Sequence, residues 1–285
     1  MIQTDVFAQL CVMQNQEQNA YRCFDYMDLA ETMVYPSDRQ ALCNWGYRTI
    51  AACPGVERST VAVAILYFDR FLSTSNPIAK WALNDRRELQ LAFVACLVIA
   101  LKVHSGLNVE LDFVSRVICN DMYDTEEIIM MEREVLEGLE WRLNGPIPHD
   151  FIDRFLCLLP PNDSINFEFL SHFSKSLVEH ALTVYSVALT SPSSIAFSSI
   201  FCSLQYMDTL SPLTNLSILQ FLEVVMGLDM RDPHVQATCI RMTGLLQECS
   251  CNSVASVLGV QAERRISETS NDEMSVAGEA SPRTA

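Results

Sequence analysis

The chain has 285 residues, 49% of them hydrophobic, and a formal net charge of −16. That apolar content excludes a mainly disordered chain, and the length suits two domains of ordinary size or one large one. Nineteen Lys and Arg against 35 Asp and Glu exclude a primary nucleic-acid binder, because neutralising phosphate backbones takes clustered cations. An acidic surface suits a basic protein partner and serves solubility equally well.

The segment 1–35 is polar and acidic, and its first fifteen residues have neither the basic start nor the apolar run of a signal peptide. Tyr21, Phe24, Met27 and Leu29 predict one short helix there, from Asn19 to Met33. Pro36 ends it, and Ser37-Asp38-Arg39-Gln40 has the form of a capping box for the next helix, which carries Leu42, Trp45 and Ile50 up to the Pro54-Gly55 break. A second helix is expected from Ser59 to Ser73, with Val61, Ile65, Phe68 and Leu72 on one face.

The longest apolar run, Leu91–Leu101, has eleven residues and is too short for a bilayer, which needs about 20. It reads as the heart of a helix from Arg87 to Val103 buried on all sides. A short helix, Leu111–Cys119, follows the Gly106-Leu107-Asn108 turn, and Asp124 with Glu127 caps a fifth that presents Ile128, Met131, Val135 and Leu139.

Asn144-Gly145-Pro146-Ile147-Pro148 marks a boundary, since two prolines within three residues force the chain out of helix. Five further helices are expected beyond it: Pro148–Leu159, Asn166–Ala188, Ser193–Thr209, Ser217–Met226 and Pro233–Leu246. Turns at Pro160-Pro161, Ser191-Pro192 and Ser211-Pro212 separate them. Small residues crowd the central member of each set, with Ala92, Ala95 and Ala100 in one and Ala196, Ser198 and Ser199 in the other. The pattern predicts an all-α chain of two tandem five-helix domains, 36–145 and 146–250. The Ser-, Thr- and Glu-rich tail, 251–285, is expected to be disordered.

Eleven cysteines lie scattered, mostly in apolar helical stretches such as Cys43, Cys96, Cys119, Cys202 and Cys239. Buried free thiols fit better than a disulfide framework, and Cys249-Ser-Cys251 has no further ligands nearby to make a metal site. Catalytic patterns are missing as well: there is no Gly-rich phosphate loop, no G-x-S-x-G and no H-E-x-x-H. His172 and His180 share one helix face without an acidic or thiol ligand between them. Neither an enzyme nor a cofactor or metal is expected.

Several short motifs, in order and at the right spacing, resemble the N-terminal box of the cyclin family across residues 36–159. Asp38-Arg39-Gln40-Ala41-Leu42-Cys43-Asn44-Trp45 is similar to the first-helix stretch, and Phe68-Asp69-Arg70-Phe71-Leu72-Ser73 to the second-helix motif. Leu89-Gln90-Leu91 with Ala100-Leu101-Lys102 resembles the third helix. Met131-Glu132-Arg133-Glu134-Val135-Leu136 and Leu139-Glu140-Trp141-Arg142-Leu143 resemble the fifth helix and its exit. The second half is similar only in helix pattern and in Pro192-Ser193-Ser194-Ile195-Ala196.

The resemblance implies two cyclin-type domains and a non-catalytic activating subunit that forms a heterodimer with a cyclin-dependent Ser/Thr kinase. A soluble protein of nucleus and cytoplasm, bound to no nucleic acid or membrane and acting in cell-cycle control, goes with it. It implies a buried Arg39–Asp69 ion pair, and Lys102 with Glu132 as the residues that grip backbone around the kinase's regulatory helix. In many cyclins the residue matching Trp45 belongs to a shallow substrate groove, which makes Leu42, Trp45 and Gln90 a candidate groove. Asp38, Ala41 and Arg48 stand where many cyclins have Met, Ile and Glu, against docking of short basic-apolar motifs. Val103-His104-Ser105 replaces the family's frequent aromatic-acidic run. In the tail, Arg264-Arg265-Ile266-Ser267 and Ser281-Pro282-Arg283 make Ser267 and Ser281 candidate phosphosites. Two alternatives stand beside the kinase reading: a helical scaffold that activates nothing, and a cyclin-fold transcription factor, which the charge balance opposes.

Overall fold

All eleven residues from Leu91 to Leu101 are buried, in the middle of helix α5 (Arg86–His104). The structure is a computed structural model and describes residues 2–27, 32–159, 165–206 and, in part, 217–247. Asp85 starts α5 by accepting from the backbone N–H groups of Arg87 and Glu88, at 2.7 and 3.3 Å. Packed round α5 are α2 (Pro36–Ala51), α3 (Ser59–Leu72), α4 (Pro77–Ala82) and α7 (Thr125–Gly138). Gly46 eases the close α2 approach, since a Cβ there would lie 3.0 Å from the Phe93 ring. Between α5 and α7 the chain makes a brief helix, α6 (Leu111–Phe113), that runs into one π-helical turn at Val114–Ile118. Asp124 and Glu127 cap α7 reciprocally, each side chain accepting from the other's backbone N–H at 2.8 and 3.0 Å.

The second set repeats the scheme around α11 (Pro192–Tyr206), whose buried stretch Ser193–Ile200 has serine or alanine at five of its eight positions. Against it lie α8 (Pro148–Leu158) and α9 (Phe167–Thr183); α10 (Tyr185–Ala188) follows α9 directly. Residues 220–224 and 235–247 are also helical, and no strand occurs among the described residues. Residues 1–242 form one compact unit, and of the second, 243–285, the described residues 243–247 are helix. Cys43, Cys96 and Cys119 are buried free thiols, and Cys202 and Cys239 are buried as well. Cys249, Cys251, the tail 251–285 and the turns at Pro160-Pro161 and Ser211-Pro212 lie outside the described residues.

Four expectations need correction. The N-terminal helix is α1 (Ile2–Gln18), not Asn19–Met33, and residues 22–26 run without helix. Val6 and Leu10 bury α1, and Glu17 fixes its end by accepting from the Ser193 backbone N–H and hydroxyl. Pro36 opens α2 rather than closing what precedes it, and the cap is Asp38, whose carboxylate accepts from the Tyr35 N–H at 2.9 Å. The short helix α4, begun by Asn76 accepting from the Ile78 N–H, went unpredicted between two expected helices. Finally, the expected helix Asn166–Ala188 breaks at Val184, which is extended at φ −87° and ψ 114°.

That break serves a buried charge. Arg39 on α2 has no exposed surface and binds Asp69 on α3 with two parallel bonds of 2.7 Å. Its remaining nitrogen, Nη1, donates to the carbonyls of Leu182 and Thr183 at 3.0 and 3.2 Å, which are acceptors left free where α9 ends. Tyr26 closes the cluster by donating to Asp69 Oδ1 at 2.6 Å, and Tyr185 Oη in turn accepts from the backbone N–H groups of Tyr26 and Met27. Burial alone would lower the Arg39 pKa, but the Asp69 carboxylate holds it well above the ordinary arginine value. The non-helical course of residues 22–26 follows from this, because it brings Tyr26 to the pair.

Two predictions follow from buried groups. Arg39→Ala leaves Asp69 buried and without its cation, and should cost about 3–5 kcal/mol of stability in urea unfolding. A loss near that of an exposed pair, under about 1 kcal/mol, would mean that water reaches the cluster. His149 on α8 is 5% exposed, and neither ring nitrogen has a hydrogen-bond partner. Burial first, then the Lys175 ammonium, pushes its pKa down to about 4, with Asp153 pulling the other way. The unfolded chain therefore takes up a proton near pH 6.5 that the folded chain resists until about pH 4. Stability from this group is complete above the upper value and is lost as pH falls toward the lower. His149→Leu should flatten that acid limb in thermal melts without loss at neutral pH; an unchanged limb would place the titration elsewhere.

Candidate functional site

Helices α5 and α7 pack side by side, and each contributes one charged residue near the edge of their contact. Lys102 sits in the last turn of α5, where a cation is favoured by the helix dipole. Glu132 lies in the middle of α7, on the turn after the half-exposed Ile129. The Lys102 ammonium donates to both Glu132 oxygens, at 2.7 and 2.8 Å. The lysine side chain is 36% exposed and the glutamate 14%, so the pair is wet on one side and supported on the other. A lysine has three donors and a carboxylate about four acceptor sites. The pair can therefore receive a carbonyl and an N–H from outside without coming apart.

Large apolar side chains stand exposed on the same elements and those beside them. Ile129 and Met130 project from α7, Val103 follows Lys102 on α5, and Phe113 and Val117 stand out from α6 and the π turn. Contiguous exposed apolar patches are characteristic of interaction surfaces, and this is where the chain offers exposed apolar side chains beside the ion pair. The sequence carried a signal for part of this. Ile128-Ile129-Met130-Met131 is four apolar residues in a row on an amphipathic helix, and one helix face can bury only two of them. Ile128 and Met131 are buried, and Ile129 and Met130 are exposed.

The remaining candidates fall as follows. Leu42 and Trp45 are half-buried on α2, and the Trp45 ring meets Phe93 of α5 edge-on at 6.2 Å. Gln90, also half-buried, lies one helical turn before Phe93. Asp38 is 3.2 Å from Arg86, an ion pair between the start of α2 and the start of α5. His104 bonds to the Tyr67 hydroxyl at 3.0 Å. His172 and His180 are both on α9, and His180 Nδ1 lies 2.9 Å from the Ser176 carbonyl. No His, Cys, Asp and Glu cluster able to hold a metal occurs among the described residues. No helix among them is long and apolar enough to cross a membrane. Ser267 and Ser281 lie outside the described residues.

Comparison with known proteins falls on these same helices. A family model described as the N-terminal domain of cyclins matches residues 9–144, beginning within α1 and ending after α7. The G1/S-specific cyclin-D1 of Homo sapiens is 24% identical over 243 residues, covering 85% of this chain and 78% of that protein. Cyclin-A1-4 of Oryza sativa subsp. japonica is 29% identical over 188 residues, covering 62% of this chain and 47% of that protein. Among solved structures, a viral cyclin from herpesvirus saimiri superposes with a TM-score of 0.62 at 17% identity, over 87% of this chain and 97% of the other. That similarity extends the shared all-helical fold well past α7, into the second set of helices. The matched stretch holds the helices of Arg39, Asp69, Lys102 and Glu132, and over it the chain is similar to the N-terminal domain of cyclins.

Proposed function

We propose that this chain is the non-catalytic, activating subunit of a cyclin-dependent Ser/Thr protein kinase, acting in cell-cycle control as a heterodimer with it. The observation that carries the reading is the two-bond Lys102–Glu132 pair set beside an exposed apolar surface. Protein kinases are active when their regulatory helix is turned inward, so that its Glu meets the ATP-binding Lys. A rigid face that binds only the inward state shifts the population toward it by its difference in affinity. The apolar side chains supply affinity, and the charged pair, through bonds to backbone groups, fixes orientation.

The finer features belong to the same proposal. Two boxes, 36–145 and 146–250, are supported by the repeated arrangement in which α5 and α11 each lie central to their neighbours. Leu42, Trp45 and Gln90 offer a shallow patch for substrate side chains, with the Asp38–Arg86 pair changing its polar edge. Residence in nucleus and cytoplasm is expected of a subunit that follows its kinase.

Lys102→Ala with Glu132→Ala should abolish recovery of a cyclin-dependent kinase from extract of the native cell. Helical content by circular dichroism should be unchanged, because the pair is part-exposed and contributes little to stability. Undiminished kinase recovery would defeat the site assignment. A recovered kinase that phosphorylates no generic substrate would favour the non-activating scaffold.

A further inference from the structure

Arg70 is a buried cation without an anion. It follows Asp69 on α3, is 7% exposed, and forms no ion pair among the described residues. Its one hydrogen bond runs from Nη1 to the Arg142 carbonyl at 2.8 Å, and its guanidinium lies 4.6 Å from the centre of the Tyr21 ring. An arginine has five donors, so most of its capacity is unspent. Burial lowers its pKa. Asp69 cannot serve it, because both Asp69 oxygens are engaged by Arg39 and Tyr26. Adjacent helical residues also diverge by about 100°.

A cavity of about 570 Å³ opens beside Arg70, and Arg22, Arg142, Phe24 and Ser75 line it too. Arg22 lies over the Phe24 ring at 5.2 Å and has no carboxylate partner among the described residues. Arg142 has only Glu140, 3.0 Å away, in a pair more than half exposed on both sides and correspondingly weak. The other carboxylate at the rim, Glu137, pairs with Arg133 at 2.9 Å in a similarly exposed pair, so the lining holds three arginines against two carboxylates. Positive charge thus gathers locally on a chain whose formal net charge is −16. At physiological salt, charges act over roughly 8 Å, so the local group decides what binds.

We propose that Arg22, Arg70 and Arg142 form a receptor for a phosphorylated serine or threonine side chain of a protein partner. A phosphate monoester brings nearly two charges and three acceptor oxygens, which suit several arginine forks lining one cavity. The cavity exceeds what one phosphoryl group fills, and exposed Phe24 lines it with apolar surface for a neighbouring peptide residue. That points to a peptide rather than a free ion. The choice of a phosphoprotein rests on the kinase reading, since a kinase subunit meets the products of its own catalytic partner.

The test is fluorescence anisotropy on the full chain, with a labelled degenerate phosphoserine and phosphothreonine peptide pool and its unphosphorylated twin. Saturable binding of the phosphorylated pool alone is expected, with Arg22→Glu and Arg142→Glu, both surface changes, each weakening it tenfold or more. Equal binding of both pools, or indifference to these two variants, would overturn the proposal. Displacement of the peptide by inorganic phosphate at matching concentration would overturn the peptide assignment in favour of a free anion. The same two variants should still recover the kinase. Phosphopeptide binding by a chain that recovers no kinase would sink the kinase reading and leave the receptor standing.

Discussion

The fold is organised about one desolvated ion pair. Moving Arg39 and Asp69 out of water carries a penalty of several kcal/mol per ion, which their mutual attraction offsets only when the other polar atoms are also bonded. Here they are: two carbonyls take the third guanidinium nitrogen and a tyrosine hydroxyl takes the shared carboxylate oxygen. Those partners come from α2, α3, the end of α9 and the N-terminal segment, which are remote in sequence. A hydrophobic cluster could bury as much surface, but it would tolerate sliding. Directional bonds to two specific carbonyls do not, so the pair fixes how α9 meets α2 and α3.

The neighbouring residue makes the contrast sharper. Asp69 and Arg70 are consecutive, oppositely charged and both buried, and yet they do not neutralise each other. Helix geometry sends them to different sides of α3. Asp69 goes to the junction of the two helix sets, where its charge is fully compensated. Arg70 goes to the exit of α7, where it holds the Arg142 carbonyl and lines a cavity. One residue stabilises the fold, and the other keeps a charge available.

What could be read in the sequence was whatever local chemistry decides. The apolar run at Leu91–Leu101 gave α5, and the Asp124–Glu127 spacing gave the start of α7 to the residue. Elements decided by distant partners were not legible. Helix α1 has a sparse apolar face, Val6 and Leu10, and ends on a carboxylate whose partner is at residue 193. The break at Val184 has no proline or glycine to announce it, because its cause is an arginine 145 positions earlier in the chain. Ser37 has the spacing of a cap, but Asp38 is the residue whose carboxylate accepts from the Tyr35 N–H. Lys102 and Glu132 were found through motif likeness, and nothing in their local composition sets them apart from other surface charges. Arg70 sat in a recognised motif, but only the structure shows that its neighbour's charge is already engaged.

The Lys102–Glu132 pair shows why a preformed face suits a partner that must be held in one posture. Each residue alone would be a long, mobile side chain, and fixing it on binding would cost roughly 0.5–1.5 kcal/mol of ordering. Paired in advance, both are ordered before any partner arrives. On the proposed kinase-subunit reading, their unspent donor and acceptor sites would meet a backbone carbonyl and N–H at a fixed separation, which side-chain contacts on a flexible surface could not guarantee. Backbone recognition is also indifferent to the partner's side chains, so on that reading the choice among partners would fall to the surrounding apolar residues, Ile129, Met130 and Val103, which stand exposed. Since this is the region where Val103-His104-Ser105 departs from the family's usual run, selectivity is the property in which this chain should differ most from its relatives.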